Sequence, residues 1–181
     1  YVPTSPRTDL EWLAIGQHYG LPTRLLDWTD GLLVAAWFAV FKGGAKQHDS
    51  SIWVTKGIKS VDIRNDVDPL DISDAVAFRP PYITPRIGAQ SSVLVVCPKP
   101  SEDFNPAFVR KIVISRTCEF TLKKRLNACG INQRALFPDL SGLSDHLGWL
   151  YKNGWLAGYK TPKTSWDTAD DSADAQGEGS L

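Results

Sequence analysis

"GLPTRLLDWTD", residues 20–30, runs directly into "GLLVAAWFAVF", residues 31–41, and the junction between them decides how the chain folds. The first stretch packs a Gly, a Pro, an Arg, two Asp, a Trp and two Thr into a few residues. The second is almost unbroken apolar sequence. It is too short to span a bilayer, and it predicts a helix over 31–42, apolar nearly all round and so central and buried. Gly43-Gly44 would end that helix, and Thr29 or Asp30 would cap its start. Upstream, Thr8-Asp9-Leu10-Glu11 has the capping-box spacing that opens a helix. "LEWLAIGQHY" carries that helix and Gly20 stops it, so residues 21–28 are expected as a structured loop.

Further along, "SIWVTK" (51–56), "SVLVVC" (92–97) and "KIVIS" (111–115) read as strands. Residues 57–87 hold four Pro, many Asp and little periodicity, which predicts a long surface excursion with one short helix near 71–77. "TCEFTLKKRLNAC" (117–129) is an amphipathic helix closed by Gly130. "DLSGLSDHLGWLYKN" (139–153) is another, with Leu140, Leu143, Leu147 and Leu150 on one face and Asp139 at its N-cap. Helices, then strands, then helices predict an α+β fold, a small mixed or antiparallel sheet with a buried apolar helix, rather than alternating βαβ units.

Composition bounds the rest. A chain of 181 residues, 43% hydrophobic with seven Trp, suffices for one domain with a real core. It begins Tyr1-Val2-Pro3 and contains no Met, so we expect a fragment of a longer protein. Cys97, Cys118 and Cys129 show no CxxC spacing, which argues against a disulfide framework or a zinc site and fits a reducing cytoplasm. The formal net charge is zero, yet the tail from Asp167 holds five acids and no base. We therefore expect residues 1–155 as the domain and 156–181 as a disordered acidic tail. The remaining body is mildly basic, which suits a small anionic ligand. The run Lys123-Lys124-Arg125, with Arg134, offers a nucleic-acid partner as a weaker reading beside that of an ordinary solvated helix face. No membrane partner and no metal are expected, and the oligomeric state is left open.

Chemistry concentrates at the opening block. Gln17 and His18 end the first helix, and Thr23, Arg24, Asp27 and Thr29 follow closely. Arg24 supplies a planar fork suited to carboxylate or phosphate, and Thr29 with the next helix's first amides makes an anion site. The structural alternative is an Arg24–Asp27 pair locking the loop, Thr29 as a plain N-cap, and His18 against its helix dipole. A second group, Arg86 and Gln90, stands before the strand at 92–97. Its alternative is that Gln90 and the adjacent serines merely satisfy backbone groups. GxSxG, HExxH, P-loop and GxGxxG patterns are absent.

"LAIGQHYGLPTRLLDWTDGLLVAAWFAV" closely resembles the signature block of the FRG domain family, including the small apolar helix with Ala35-Ala36-Trp37-Phe38-Ala39. "PRIGAQSSVLVV" (85–96) and "LNACGINQRALFPDLSGLSDHL" (126–147) are similar to two later blocks of that family. The family's aromatic-Arg-Gly tripeptide does not occur here, as an N-terminally truncated domain would explain. A deeper likeness to ADP-ribosyltransferase-like folds implies a polar pocket for NAD or a similar phosphate-bearing, nucleotide-like ligand. On that likeness Thr29 and the helix start orient NAD, and Gln90 stands where a catalytic Glu stands. An amide cannot act as an acid, so Asp27 is the nearest carboxylate for chemistry. The resemblance implies ADP-ribosyl transfer or NAD cleavage, as in a bacterial toxin or defence effector. The alternative is a non-catalytic binding or interaction module of a larger protein. The expected ligand-binding residues are Gln17, His18, Thr23, Arg24, Thr29 and Arg86, with Asp27 and Gln90 for catalysis.

Overall fold

The computed structural model describes residues 6–41, 48–64, 67–82, 84–104 and 106–156. The first helix, α1 (Asp9–His18), starts where its capping signal lies. Thr8 is extended and its Oγ1 accepts the Glu11 N–H at 3.3 Å. Gly20, at φ +90°, closes it, because only there does the chain turn left-handed so that the Leu21 N–H reaches the Gly16 carbonyl at 2.8 Å.

The next segment departs from expectation. Residues 25–29 are not loop but a strand, β1 (Leu25–Thr29). The reason is a partner far along the chain, β5 (Ser92–Val96), which pairs with it antiparallel from Leu25↔Val96 to Thr29↔Ser92. The apolar helix α2 (Leu32–Val40) follows, with Gly31 rather than Thr29 or Asp30 at its N-cap position. The predicted Gly43-Gly44 stop lies outside the described residues.

The strand β2 (Ser50–Thr55) comes next, then β3 (Lys59–Ser60) and β4 (Val76–Phe78), the helix α3 (Pro85–Ala89), β5, and β6 (Val109–Ile114). The helices α4 (Arg116–Ala128), α5 (Gln133–Leu136) and α6 (Leu140–Lys152) complete the order. The short helix expected near 71–77 is absent, and β4 begins there instead. Val76, Ala77 and Phe78 pair with Val96, Val95 and Leu94 of β5, a long-range contact that overrides the Asp- and Ser-rich local sequence.

The fold is mixed α+β with two sheets among the described residues. One has the order β1-β5-β4-β3, antiparallel except for the short β3–β4 pair; the other is the antiparallel ribbon β2-β6. No helix among the described residues is long and apolar enough to cross a membrane. Two compact units divide inside α6, after His146. In the second, Trp149 meets Trp155 edge to face at 4.8 Å and accepts the Asn153 side-chain amide at 2.7 Å. The acidic tail from Asp167 lies outside the described residues.

The first unit holds two cores. In one, Leu10 and Ala14 of α1 pack on Leu25, Val76, Phe78, Leu94 and Val96 of the larger sheet. In the other, Val34, Ala36, Trp37 and Val40 of α2 pack on Ile52, Leu126 and Leu136. α2 is thus buried along one face and not all round, since Leu32, Leu33 and Phe38 are exposed. On α6 the buried positions are Gly142 and His146, one helical turn apart, while Leu140 is exposed.

Trp37 anchors the second core: it is 1% exposed and stacks on Phe41 at 4.6 Å between ring centres. Trp37→Ala is expected to cost about 3–5 kcal/mol, measured as a lowered urea midpoint. A loss under about 1 kcal/mol would mean that α2 is held by something other than this packing.

Candidate functional site

Between the two cores opens a cleft of about 790 Å³. The end of α1 contributes Ala14, Gln17 and His18, and β1 contributes Leu26 to Thr29. Opposite stand Ala35, Phe38 and Ala39 of α2 and Ser51 to Trp53 of β2. Arg86, Ile87 and Gln90 from the α3 region, Ser92 and Leu94 of β5, Pro80 and Phe137 complete the wall. The surface is mostly apolar and aromatic with a few convergent polar groups, the usual make-up of a small-molecule site.

Six of the eight residues expected from sequence line this cleft: Gln17, His18, Asp27, Thr29, Arg86 and Gln90. Thr23 and Arg24 do not. The Arg24–Asp27 pair is not formed, because three residues of extended chain separate two side chains by about 10 Å. Arg24 instead donates from Nη2 to the carbonyls of Cys97 at 2.9 Å and Pro98 at 2.8 Å. It ties the start of β1 to the end of β5 and is a structural clasp.

Asp27 has a different partner. The Gln17 side-chain amide donates from Nε2 to Asp27 Oδ1 at 2.8 Å. Thr23 donates its hydroxyl to Gln17 Oε1, and the same Oγ1 accepts the Leu25 N–H at 3.2 Å. A carboxylate only accepts, so the Gln17 NH2 must face Asp27 and its oxygen must face Thr23. Thr23 therefore orients a lining residue from outside the cleft.

Thr29 links the cleft's two sides of backbone. Its hydroxyl donates to the Gln90 carbonyl at 2.7 Å and its Oγ1 accepts the Gly31 N–H at 3.0 Å. Gln90 follows α3, and Ser91 at φ 47° makes the left-handed turn that swings the chain into β5. The Gln90 side-chain amide donates to the Leu136 carbonyl at 3.0 Å.

Arg86 lies over the Phe137 ring, 5.0 Å from its centre, and pairs with Asp139 through Nε at 2.9 Å and through Nη2. Asp139 also accepts from the Gly142 N–H at 2.8 Å, so it caps α6 as expected while holding Arg86. Ser141 also donates its hydroxyl to Asp139 Oδ1 at 2.7 Å, and this bond, then those of Gly142 and Arg86, keeps the carboxyl well below the usual carboxylate range. Phe38, Trp53 and Phe137 are lining residues that sequence reasoning missed. Trp53 is half exposed on β2, which its sequence neighbours do not reveal.

The basic run does not form one surface. Lys123 donates to the Phe41 carbonyl at 3.1 Å, and burial lowers its pKa. Lys124 lies over Phe120 at 5.1 Å. All three cysteines are free. No cluster of metal-ligating side chains occurs among the described residues.

Comparison with known families adds one finding. The model of the FRG domain matches residues 1–48, which bears out the resemblance over the stretch that holds α1, β1 and α2. The blocks at 85–96 and 126–147 lie beyond that match. No curated protein and no solved structure matches the chain.

These contacts make stability depend first on Arg24 and then on pH. Arg24→Ala leaves two carbonyls without their charged donor and is expected to cost about 2–3 kcal/mol in urea unfolding. An unchanged midpoint would remove Arg24 as a clasp. Burial, then the positive charge of Arg86, lowers His18 below its ordinary 6.5; burial, then Arg134, does the same to His146. Both rings fold more readily neutral, so the unfolded chain binds more protons in acid. Stability is complete above about pH 6.5 and falls as pH drops through the folded values. His18→Gln should shrink that fall, and a flat stability profile down to about pH 5 would contradict it.

Proposed function

We propose that the cleft binds a nucleotide-like small molecule, with NAD as the leading candidate. The observation that carries the reading is the convergence of Gln17, His18, Asp27, Thr29, Arg86 and Gln90 on one aromatic-walled cleft. Its volume of about 790 Å³ falls within the range of ligand pockets, roughly 300–1,000 Å³. Phe38 and Trp28 offer faces for a planar ring, and Asp27 and Gln90 offer hydrogen-bond partners for a sugar. The free thiols and the lack of a spanning helix among the described residues fit action in the cytoplasm.

Calorimetry with NAD on the full chain is the test. We expect binding that Asp27→Asn and Gln90→Ala each weaken by about tenfold or more, the value of one good hydrogen bond to a charged or buried group. Arg24→Ala, away from the cleft, should leave the affinity of the folded protein unchanged. No heat at millimolar NAD would end the proposal.

A second reading rests on Asp27, the one carboxylate among the residues lining the cleft. A carboxylate there can stabilise the cationic sugar that forms as nicotinamide leaves. Water's oxygen then bonds to the ribose C1, the C–N bond electrons go with nicotinamide, and water's extra proton passes to solvent. ADP-ribosyl transfer differs only in the attacking nucleophile. Nicotinamide release by the chain, reduced about 100-fold or more in Asp27→Asn, would support it. NAD binding without release defines a non-catalytic binding module instead.

A further inference from the structure

The donors and acceptors of the cleft are not evenly available. Two side-chain amides line it, and one N–H of each is engaged inside the protein, Gln17 on Asp27 at 2.8 Å and Gln90 on the Leu136 carbonyl at 3.0 Å, which leaves each amide a second N–H. The Thr29 hydroxyl proton is engaged on the Gln90 carbonyl at 2.7 Å. The charge of Arg86 is balanced by Asp139. Asp27 and the Gln90 side-chain oxygen remain as acceptors beside those second N–H groups, and Asp27 brings a negative charge. The other polar lining groups are the Ser51 and Ser92 hydroxyls, the Trp28 and Trp53 indoles and His18, none of them a fixed cation.

From this inventory we infer that the cleft takes the hydroxyl-bearing, phosphate-free part of its ligand, a ribosyl diol with its ring, and leaves phosphates outside. Asp27 and Gln90 receive the diol's protons. Thr23 and Gln17 act as positioning residues: the Thr23 hydroxyl sets the Gln17 amide, and the amide sets Asp27. A phosphate in the same place would face the Asp27 carboxylate and find no uncompensated cation. The inference rests on the nucleotide reading above and assigns which end of that ligand enters.

The test titrates the full chain with two probes separately, nicotinamide riboside and inorganic pyrophosphate, by calorimetry. We expect the riboside to bind within about tenfold of NAD and pyrophosphate neither to bind nor to displace NAD. Asp27→Asn should weaken the riboside by about tenfold or more. Thr23→Val should shift the Gln17 side-chain amide resonances and lower riboside affinity, and Thr23→Ser should restore both. A Thr23→Val protein that shifts the Gln17 signals yet binds the riboside at full strength would overturn the positioning role. Pyrophosphate binding that excludes the riboside would overturn the assignment, as would a chain that binds neither probe. In that last case NAD binding separates the two claims: if NAD still binds, the nucleotide reading survives without this assignment, and if it does not, both fall.

Discussion

The pairing of Leu25–Thr29 with Ser92–Val96 is the constraint on which the rest of the cleft depends. It joins two segments more than sixty residues apart and is fastened at both ends. At one end Arg24 grips the Cys97 and Pro98 carbonyls. At the other the Thr29 hydroxyl and the Asp30 N–H hold the carbonyls of Gln90 and Ser91. Between these ends the strand alternation buries Leu25 against α1 and brings Asp27 and Thr29 to the same face beyond it. A slip of one residue would turn Leu25, Asp27 and Thr29 to the opposite face together and put Leu26 and Trp28 in their place, so the fastenings also protect the site.

The apolar helix answers a second need. Only two residues separate the end of β1 from the start of α2, so whatever fixes the helix fixes the strand's exit. Trp37, Val40 and their neighbours lock it against α4 and β2, which leaves Ala35 and Ala39 as small residues on the cleft wall. Small side chains there keep the space open, and Phe38 beside them supplies an aromatic surface. The polar strand β1 and the apolar helix α2 are thus two walls of one cleft.

How much of this was legible in the sequence depended on how local each feature is. The start and stop of α1 were legible because Thr8 and Gly20 act within a few residues of themselves. The strand β1 was not, since "LLDWT" carries a central Asp and shows its strand character only beside β5. The same blindness made Arg24 and Asp27 look like partners: neighbours in sequence, they are pulled apart by extended chain and held by Cys97, Pro98 and Gln17 instead. Gln17, His18, Thr29, Arg86 and Gln90 were singled out as candidates, and the fold does bring them to one cleft with Asp27. The aromatic wall was hidden, because Phe38, Trp53 and Phe137 read equally well as core residues until their exposure is known. Asp139 showed its capping role, which is local, and concealed its grip on Arg86, which is not.

Our proposal places one ligand site between the two cores, with its working face set by β1. Backbone chemical-shift mapping of the chain during an NAD titration tests this most directly. The account predicts that the saturable shifts cluster at Gln17, Asp27, Phe38, Trp53 and Gln90. Saturable shifts confined to α4, around Lys124 and Arg125, with the cleft silent, would contradict it.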